Sequence, residues 1–336
     1  MVVKQVWIRE ERLLIEAFLA RFDLLLDQDV DHTYYFEESG QIVATLSSAG
    51  DTIKAVAVDP QYQGESLALQ LFEFAIHQLA KKGIDSYRVF TKTKYVPQFA
   101  SLKMRLVSST GNVAILEGGQ NGIDATIQGI RDTIETITKI DIAKLDLGTV
   151  VVNCNPVTKG HLGLMEYAAK QHDFLIVFVL EEDRSYFSFQ ERYALLHLAL
   201  LNVENAILVP SSKYIVSALT FPSYFLKTVA ERDVEHARLD AILFRDHFMP
   251  KLHLQKRYIG TETDPVMILY NNTLLDILHG QIELIQRFTQ DDSVISASRV
   301  RKLIQQGKIE EALALVPEAT RGLLQMIAKA KVSHDA

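Results

Sequence analysis

The chain has 336 residues, 48% of them apolar and 23% charged, with a net charge of −7. That length is more than one core usually serves, so two domains are expected. The negative balance excludes a global positive field that would draw in nucleic acid. The longest apolar run, Phe174–Leu180, falls far short of the about 20 residues a membrane-spanning helix takes. Met1–Glu10 lacks an apolar stretch behind a basic start, so no secretory signal is expected and the cytoplasm is the expected location. Cys154 is the single cysteine, which rules out an intrachain disulfide.

Val6–Phe22 carries Leu13, Leu14, Ala17, Phe18 and Phe22 at helical spacing. Thr33–Phe36 and Ile42–Leu46 read as strands on either side of the turn Glu37-Glu38-Ser39-Gly40. The β-branched run Ile53–Val58 stops at Asp59-Pro60, and a helix over Leu67–Lys82 is closed by Gly83. Tyr87–Thr91 and Val113–Leu116 are further strands. The next stretch is turn-rich and then sparse in large apolar residues until Ile134 and Ile137. We therefore divide the chain into a first domain at 1–117, a linker at 118–147 and a second domain at 148–336. From Gly148 the order is strand, Pro-containing loop, helix Gly163–Gln171, strand Phe174–Leu180, helix Gln190–Asn202, strand Ala206–Val209. A βαβαβ order predicts a doubly wound, Rossmann-like parallel sheet that binds ligands outside the carboxyl ends of its strands.

Within the second domain, the strand at Gly148–Val152 delivers the chain to Asn153-Cys154-Asn155-Pro156-Val157-Thr158-Lys159-Gly160-His161, where a helix opens near Gly160 or His161. Unpaired N–H groups at a helix start carry partial positive charge and suit a phosphate. Thr158 and His161, three apart, both point toward the strand ends, and Gly160 lets a ligand approach the backbone. A histidine there can stabilise charge building on phosphate oxygens. The residues alone also fit an ordinary strand-to-helix turn with a capping Thr158. The whole string, Asn-Pro-x-Thr-x-Gly-His after a strand, closely resembles the signature of the HxGH nucleotidyltransferases, in which the first His is often Thr. That resemblance implies attack on the α-phosphate of ATP with release of pyrophosphate, Thr158 and His161 being catalytic and Asn153, Cys154, Asn155 and Gly160 lining the nucleotide. Cys154 has no paired base near it in sequence, so a covalent role is not expected. No Gly-x-x-x-x-Gly-Lys-Ser/Thr string competes with this reading.

A second string, Ile295-Ser296-Ala297-Ser298-Arg299-Val300-Arg301-Lys302, sets two hydroxyls before a basic helix start. Arg301 offers a fork for phosphate oxygens. Read blandly, Ser296 or Ser298 is a cap and the basic residues form a solvated face. The resemblance to the same superfamily implies that Ser296, Ser298 and Arg301 close over the β- and γ-phosphates, with Arg301 catalytic. Between the two strings, Arg257-Tyr258-Ile259-Gly260-Thr261-Glu262-Thr263 looks like a strand end and a loop. Gly260 and Glu262 there fit adenine, ribose or acceptor as well as they fit a plain turn. Asp183, Arg184 and Arg192 occupy the region where the superfamily often keeps acceptor and phosphate contacts, although Arg192, within a helix, reads first as an exposed charge. Mg2+ is implied only as the companion of ATP. His236, His247 and His253 with Asp233, Asp240 and Asp246 match no zinc spacing and read as a helical polar face, so no protein metal site is assigned.

In the first domain, Val58-Asp59-Pro60-Gln61-Tyr62-Gln63-Gly64-Glu65-Ser66 runs strand, turn, helix. It resembles the pyrophosphate loop of the GNAT acyltransferases, which implies an α+β GNAT-like domain and an acyl-CoA-type loop at Val58, Gln63, Gly64 and Ser66. Gln63 stands where a basic residue is common and Ser66 where a small one is, which favours a docking module for a pantetheine-like arm over retained acyltransferase chemistry.

A GNAT-like domain ahead of an HxGH domain, with Arg-Tyr-Ile-Gly-Thr-Glu-Thr and Ile-Ser-Ala-Ser-Arg-Val-Arg, resembles the citrate lyase ligase family. The resemblance implies acetylation, from ATP and acetate through acetyl-AMP, of the thiol on the phosphoribosyl-dephospho-CoA arm of the citrate lyase acyl carrier subunit. Transfer of AMP to a phosphorylated small molecule, or nucleotide sensing without catalysis, remain open at this point.

Overall fold

The computed structural model describes residues 1–181, 185–215, 221, 225–226, 228–286, 289–290 and 293–334. The chain packs as two compact units, one of Met1–Thr126 with Phe221–Ile242 and one of Ile127–Thr220 with Leu243–Ala336.

In the first unit the elements are β1 (Lys4–Gln5), α1 (Arg9–Ala20), β2 (His32–Glu38), β3 (Gln41–Ala49), β4 (Thr52–Val58), α2 (Leu67–Lys81), β5 (Ser86–Lys92), α3 (Val96–Ser101), β6 (Arg105–Ser109), β7 (Val113–Gly119) and the start of α4 (Ile123–Thr138). Among the described residues, seven strands form one sheet in the order β1-β2-β3-β4-β5-β7-β6. All its pairs are antiparallel except β4 with β5, which are parallel and register only at Thr52↔Arg88 and Ile53↔Val89. This is a mixed sheet, as an α+β domain leads one to expect, although β6, a short and half-exposed strand, is not among the expected elements.

The hairpin β2–β3 turns at Ser39 and Gly40, both with positive φ (50° and 78°), and α2 stops at Gly83 with φ 75°. Leu67, Leu71, Phe72 and Ala75 of α2 pack on Tyr34, Phe36, Leu46 and Ile53. In α1 the buried face is Ile15, Phe18 and Leu19, whereas Leu13 and Leu14 are 55% and 60% exposed. Both stripes have helical period, and only contact with the sheet selects between them.

The second unit holds β8 (Leu147–Val152), α5 (Lys159–Ala169), β9 (Phe174–Val179), α6 (Phe189–Ala199) and β10 (Ala206–Pro210). Helix α7 (Val229–Leu243) is divided between the two units. The second unit continues with α8 (Met249–Lys251), β11 (Leu254–Gly260), α9 (Pro265–Ile277), β12 (Ile282–Ile285), the short β13 (Thr289–Gln290) and β14 (Ser293–Val294), α10 (Ala297–Gln305), α11 (Ile309–Leu313) and α12 (Arg321–His334). Its main sheet has the order β10-β9-β8-β11-β12 with every described pair parallel. The strand order reverses between β8 and β11, and the expected doubly wound sheet is thus present with its switch point between those two strands.

Burial on both faces explains the near-continuous apolar strands. Leu175, Val177 and Val179 of β9 join a core with Met165 and Ala168 of α5, Leu195 of α6 and Val300 and Ile304 of α10. Phe178, on the other face, meets the edges of Phe244 and Phe248. At the amino ends of the strands, His172 bridges Asp146 (Nδ1 to Oδ1, 2.8 Å) and the Tyr258 hydroxyl (Nε2 to Oη, 2.8 Å). Gly148 lies beneath that ring: a Cβ there would sit 2.3 Å from His172 Cδ2.

Within the first unit, Asp233, Glu235, His236 and Asp240 of α7 are all at most 8% exposed. The helical polar face read for Asp233, His236 and Asp240 is thus buried. Glu235 explains part of the burial, accepting from the Thr110 hydroxyl and from Asn112 Nδ2 at 3.0 Å.

Candidate functional site

The site grows from the carboxyl end of β8. Immediately after that strand Cys154 takes φ 47°, and the Asn155–Pro156 peptide is cis. Thr158 then caps α5 in an extended conformation (φ −121°, ψ 167°), its hydroxyl accepting from the His161 N–H at 3.4 Å. The helix therefore starts at Lys159 and not at Gly163, because Thr158 can stop the backbone there.

The cap has a chemical consequence. The backbone N–H of Thr158 donates to His161 Nδ1 at 3.1 Å, and Nδ1 also lies 3.0 Å from Thr158 Oγ1. An Nδ1 that accepts from an amide holds no proton, so the neutral ring carries its proton on Nε2. Thr158 is nearly fully buried and His161 half-buried. The pair thus fixes both the tautomer and the direction of a single N–H donor at the start of a helix.

The second string arrives at the same place. Ser296 is the N-cap of α10 and accepts from Arg299 N at 3.2 Å, which decides between Ser296 and Ser298 as the cap. Ser298, exposed, accepts from Arg301 Nη2 at 3.0 Å, and Arg301 Nη1 donates to the carbonyl of Asn155 at 2.5 Å. A Cβ on Gly160 would lie 3.6 Å from the Ile295 carbonyl. The amino ends of α5 and α10 therefore meet outside the carboxyl end of β8, concentrating unpaired N–H groups and positive dipole ends. Burial pushes the Arg301 guanidinium below the usual arginine range, yet a guanidinium stays charged at neutral pH.

Gly260 ends β11 and Glu262 lies just beyond it; β11 is the neighbour of β8 across the switch point, so pairing brings both residues to the same edge of the sheet. The Gly260 carbonyl accepts from Asn271 Nδ2 at 2.8 Å, and Thr261 N donates to the Ile285 carbonyl at 2.9 Å, tying the loop to α9 and β12. Asn153 exchanges hydrogen bonds with Ser185 Oγ at 3.3–3.4 Å. Asn155 Oδ1 accepts from Phe187 N at 3.0 Å. Cys154 is 2% exposed and packs in the core, and burial pushes its thiol far up, so the side chain is no nucleophile.

Arg192 departs from the sequence reading. Instead of an exposed charge it is 0% exposed, donating to the carbonyls of Asn153 (3.0 Å), Leu180 (2.7 Å) and Phe187 (3.2 Å). The string Ser188-Phe189-Gln190-Glu191, a capping box that starts α6, was the signal that could have placed it one turn inside a helix beside the strand ends. Asp183 and Arg184 lie outside the described residues. Among the described residues no group of three or more His, Cys, Asp or Glu side chains could hold a metal ion. Nor is any helix long and apolar enough to cross a membrane.

In the first unit Gly64 (φ 103°) and Ser66 (φ 58°) adopt left-handed conformations before α2, and Gln63 is exposed. The surroundings suit a pyrophosphate poorly. Asp59 holds Arg21 at 2.6 Å, Tyr62 is hydrogen-bonded to Glu38, whose charge pushes the phenol up, and Glu65 is exposed. With Asp59 neutralised by Arg21, the two carboxylates Glu38 and Glu65 remain beside the loop to oppose a polyanion.

A family model described as the citrate lyase ligase C-terminal domain matches residues 147–324. The chain is 31% identical over 332 residues to a citrate (pro-3S)-lyase ligase of Klebsiella pneumoniae, spanning 96% of this chain and 95% of that one. It is 30% identical over 322 residues to the protein of that name from Haemophilus influenzae, spanning 93% and 94%. Among solved structures, Escherichia coli ElaA matches with a TM-score of 0.30 at 10% identity, over 35% of this chain and 99% of its own. A GNAT-family acetyltransferase of Staphylococcus aureus matches with a TM-score of 0.30 at 13% identity, over 35% and 99%.

Proposed function

This chain belongs to the citrate lyase ligase family, and on that premise we propose that its Asn153–His161 and Ser296–Arg301 segments hold ATP while acetate attacks the α-phosphate. The enzyme is an acid–thiol ligase that activates citrate lyase by acetylation. A carboxylate oxygen of acetate bonds to the α-phosphorus, the α–β bridging bond breaks, and pyrophosphate leaves. The thiolate of the carrier subunit's phosphoribosyl-dephospho-CoA arm then attacks the acetyl carbonyl, and AMP departs with the former acetate oxygen. Holding reactants in line and neutralising charge suffices, and no side-chain nucleophile is needed.

In this reading His161 Nε2–H donates to an α-phosphate oxygen, and Thr158 holds the ring for it. Ser296, Ser298 and Arg301 hold the departing pyrophosphate, while Gly260 and Glu262 meet the adenosine or the acceptor. The backbones of Asn153, Cys154, Asn155 and Gly160 line the phosphates, and Mg2+ enters with them. The first domain (1–117), with Val58, Gln63, Gly64 and Ser66, docks the pantetheine stretch of the carrier arm, 118–147 joins it to the catalytic domain, and the reaction takes place in the cytoplasm. The observation that carries the reading is the contact of Arg301 with the Asn155 carbonyl, which unites two strings far apart in sequence.

The test is pyrophosphate release from ATP with acetate, with and without deacetylated citrate lyase. Release requiring acetate, and reactivation of the lyase, are expected, with His161→Ala lowering the rate by about 10²-fold, the scale of losing one charge-stabilising donor. Release that ignores acetate but needs a phosphorylated acceptor would overturn the reading.

A further inference from the structure

We infer that Arg192 is a positioning residue of the nucleotide site, holding the Asn153–His161 loop in place without touching substrate. The inference rests on the reading that this loop holds ATP. The three carbonyls Arg192 engages belong to different segments: Asn153 follows β8, Leu180 follows β9, and Phe187 precedes α6. Past the ends of parallel strands such carbonyls have lost their ladder partners, and a buried one left unpaired is costly. A guanidinium suits the task because its donors spread in one rigid plane, whereas an ammonium is a point on a flexible stem.

The direction of the loop depends on this clamp. Asn153, whose carbonyl Arg192 holds, is followed directly by Cys154 in the left-handed region (φ 47°), where the chain turns out of the strand. Beyond the turn, Asn155 Oδ1 accepts from Phe187 N, the residue whose carbonyl Arg192 also holds. The Asn155 carbonyl in turn receives Arg301. Hydrogen bonds thus run from α6 through the loop to α10, anchored on Arg192 and Phe187, which are both 0% exposed.

Arg192→Lys and Asn155→Ala, singly and together in the full chain, test the inference through acetate-dependent pyrophosphate release from Mg·ATP. R192K is expected to lower kcat by about 10²-fold with the KM for ATP moving less than about threefold, because displacement costs alignment more than binding. N155A, which frees the Phe187 N–H, is expected to lower kcat by a smaller factor, and the double variant to fall no further than R192K. A folded R192K with kcat within about threefold of wild type, or losses that multiply across the pair, overturns the inference. Should R192K not fold, N155A alone decides: wild-type kcat there is the overturning result. Amide exchange at Cys154, Asn155 and Val157 needs no substrate and is expected to rise at least about tenfold in either folded variant. Unchanged exchange overturns the inference even if wild type proves inactive with acetate, an outcome that would separately fail the functional reading.

Discussion

The Arg301 guanidinium rests on the carbonyl oxygen of Asn155 at 2.5 Å, 146 positions away along the chain. Its second amino group is 3.0 Å from Ser298 Oγ, so one side chain spans the amino end of α10 and the loop that precedes α5. Two bonds to protein orient the plane of the fork before any anion arrives, which lowers the ordering cost of binding.

Replacing Arg301 by Lys keeps the charge and loses the fork. R301K is expected to retain its fold, with a melting temperature within a few degrees of wild type, because the residue is half-exposed. Its pyrophosphate release is expected to fall by about 10²-fold, the scale of one transition-state donor. Steady-state release assays beside thermal melts check this, and near-wild-type turnover would remove Arg301 from the site.

Gly160 gives a separation between stability and binding. Its φ is not positive, and an added Cβ would meet nothing closer than 3.6 Å. The free protein therefore has no need of glycine there, and Ala in a helix is favoured over Gly by roughly 0.5–1 kcal/mol. Gly160→Ala is expected to melt slightly higher than wild type while binding Mg·ATP at least about tenfold more weakly, since the methyl group intrudes where phosphate meets backbone. Calorimetric titration with Mg·ATP and a thermal melt measure both; unchanged affinity would show that no ligand approaches Gly160.

Tyr258 sets an alkaline limit on stability. Burial, with the nearby Glu283 carboxylate adding to it, pushes its phenol up to about 12. The unfolded phenol ionises near its ordinary value of about 10. The folded state therefore holds the proton longer, and the stability this represents is complete below pH 10 and lost as pH rises toward 12. Wild type is expected to lose melting temperature across that window more steeply than Tyr258→Phe. Y258F should also be less stable at neutral pH, because His172 loses a donor. Parallel slopes for the two proteins above pH 10 would contradict the assignment.

Much of this molecule is legible before any folding is considered. The alternation of β8, α5, β9, α6 and β10 follows from apolar runs broken by polar loops, and right-handed crossovers leave few ways to assemble them. The residue types of the proposed nucleotide site are legible for a similar reason. Thr158, Gly160 and His161 lie within one helical turn of one another, and Ser296, Ser298 and Arg301 within about one and a half turns, so local spacing sets much of their geometry.

What tertiary structure alone decides is which distant groups meet and which stripe is buried. Arg192 reads in the sequence as one more helical charge, and its burial depends on the ends of β8 and β9 lying side by side. Leu13 and Leu14 have the same period as Ile15 and Phe18, and only the neighbouring sheet chooses between them. Arg301 is a phosphate-type residue by its string, but its seat on Asn155 exists because α10 returns to the edge where β8 ends. Local propensity and spacing act over about one helical turn, whereas a carbonyl at a strand end takes its partner from whatever the fold carries past it.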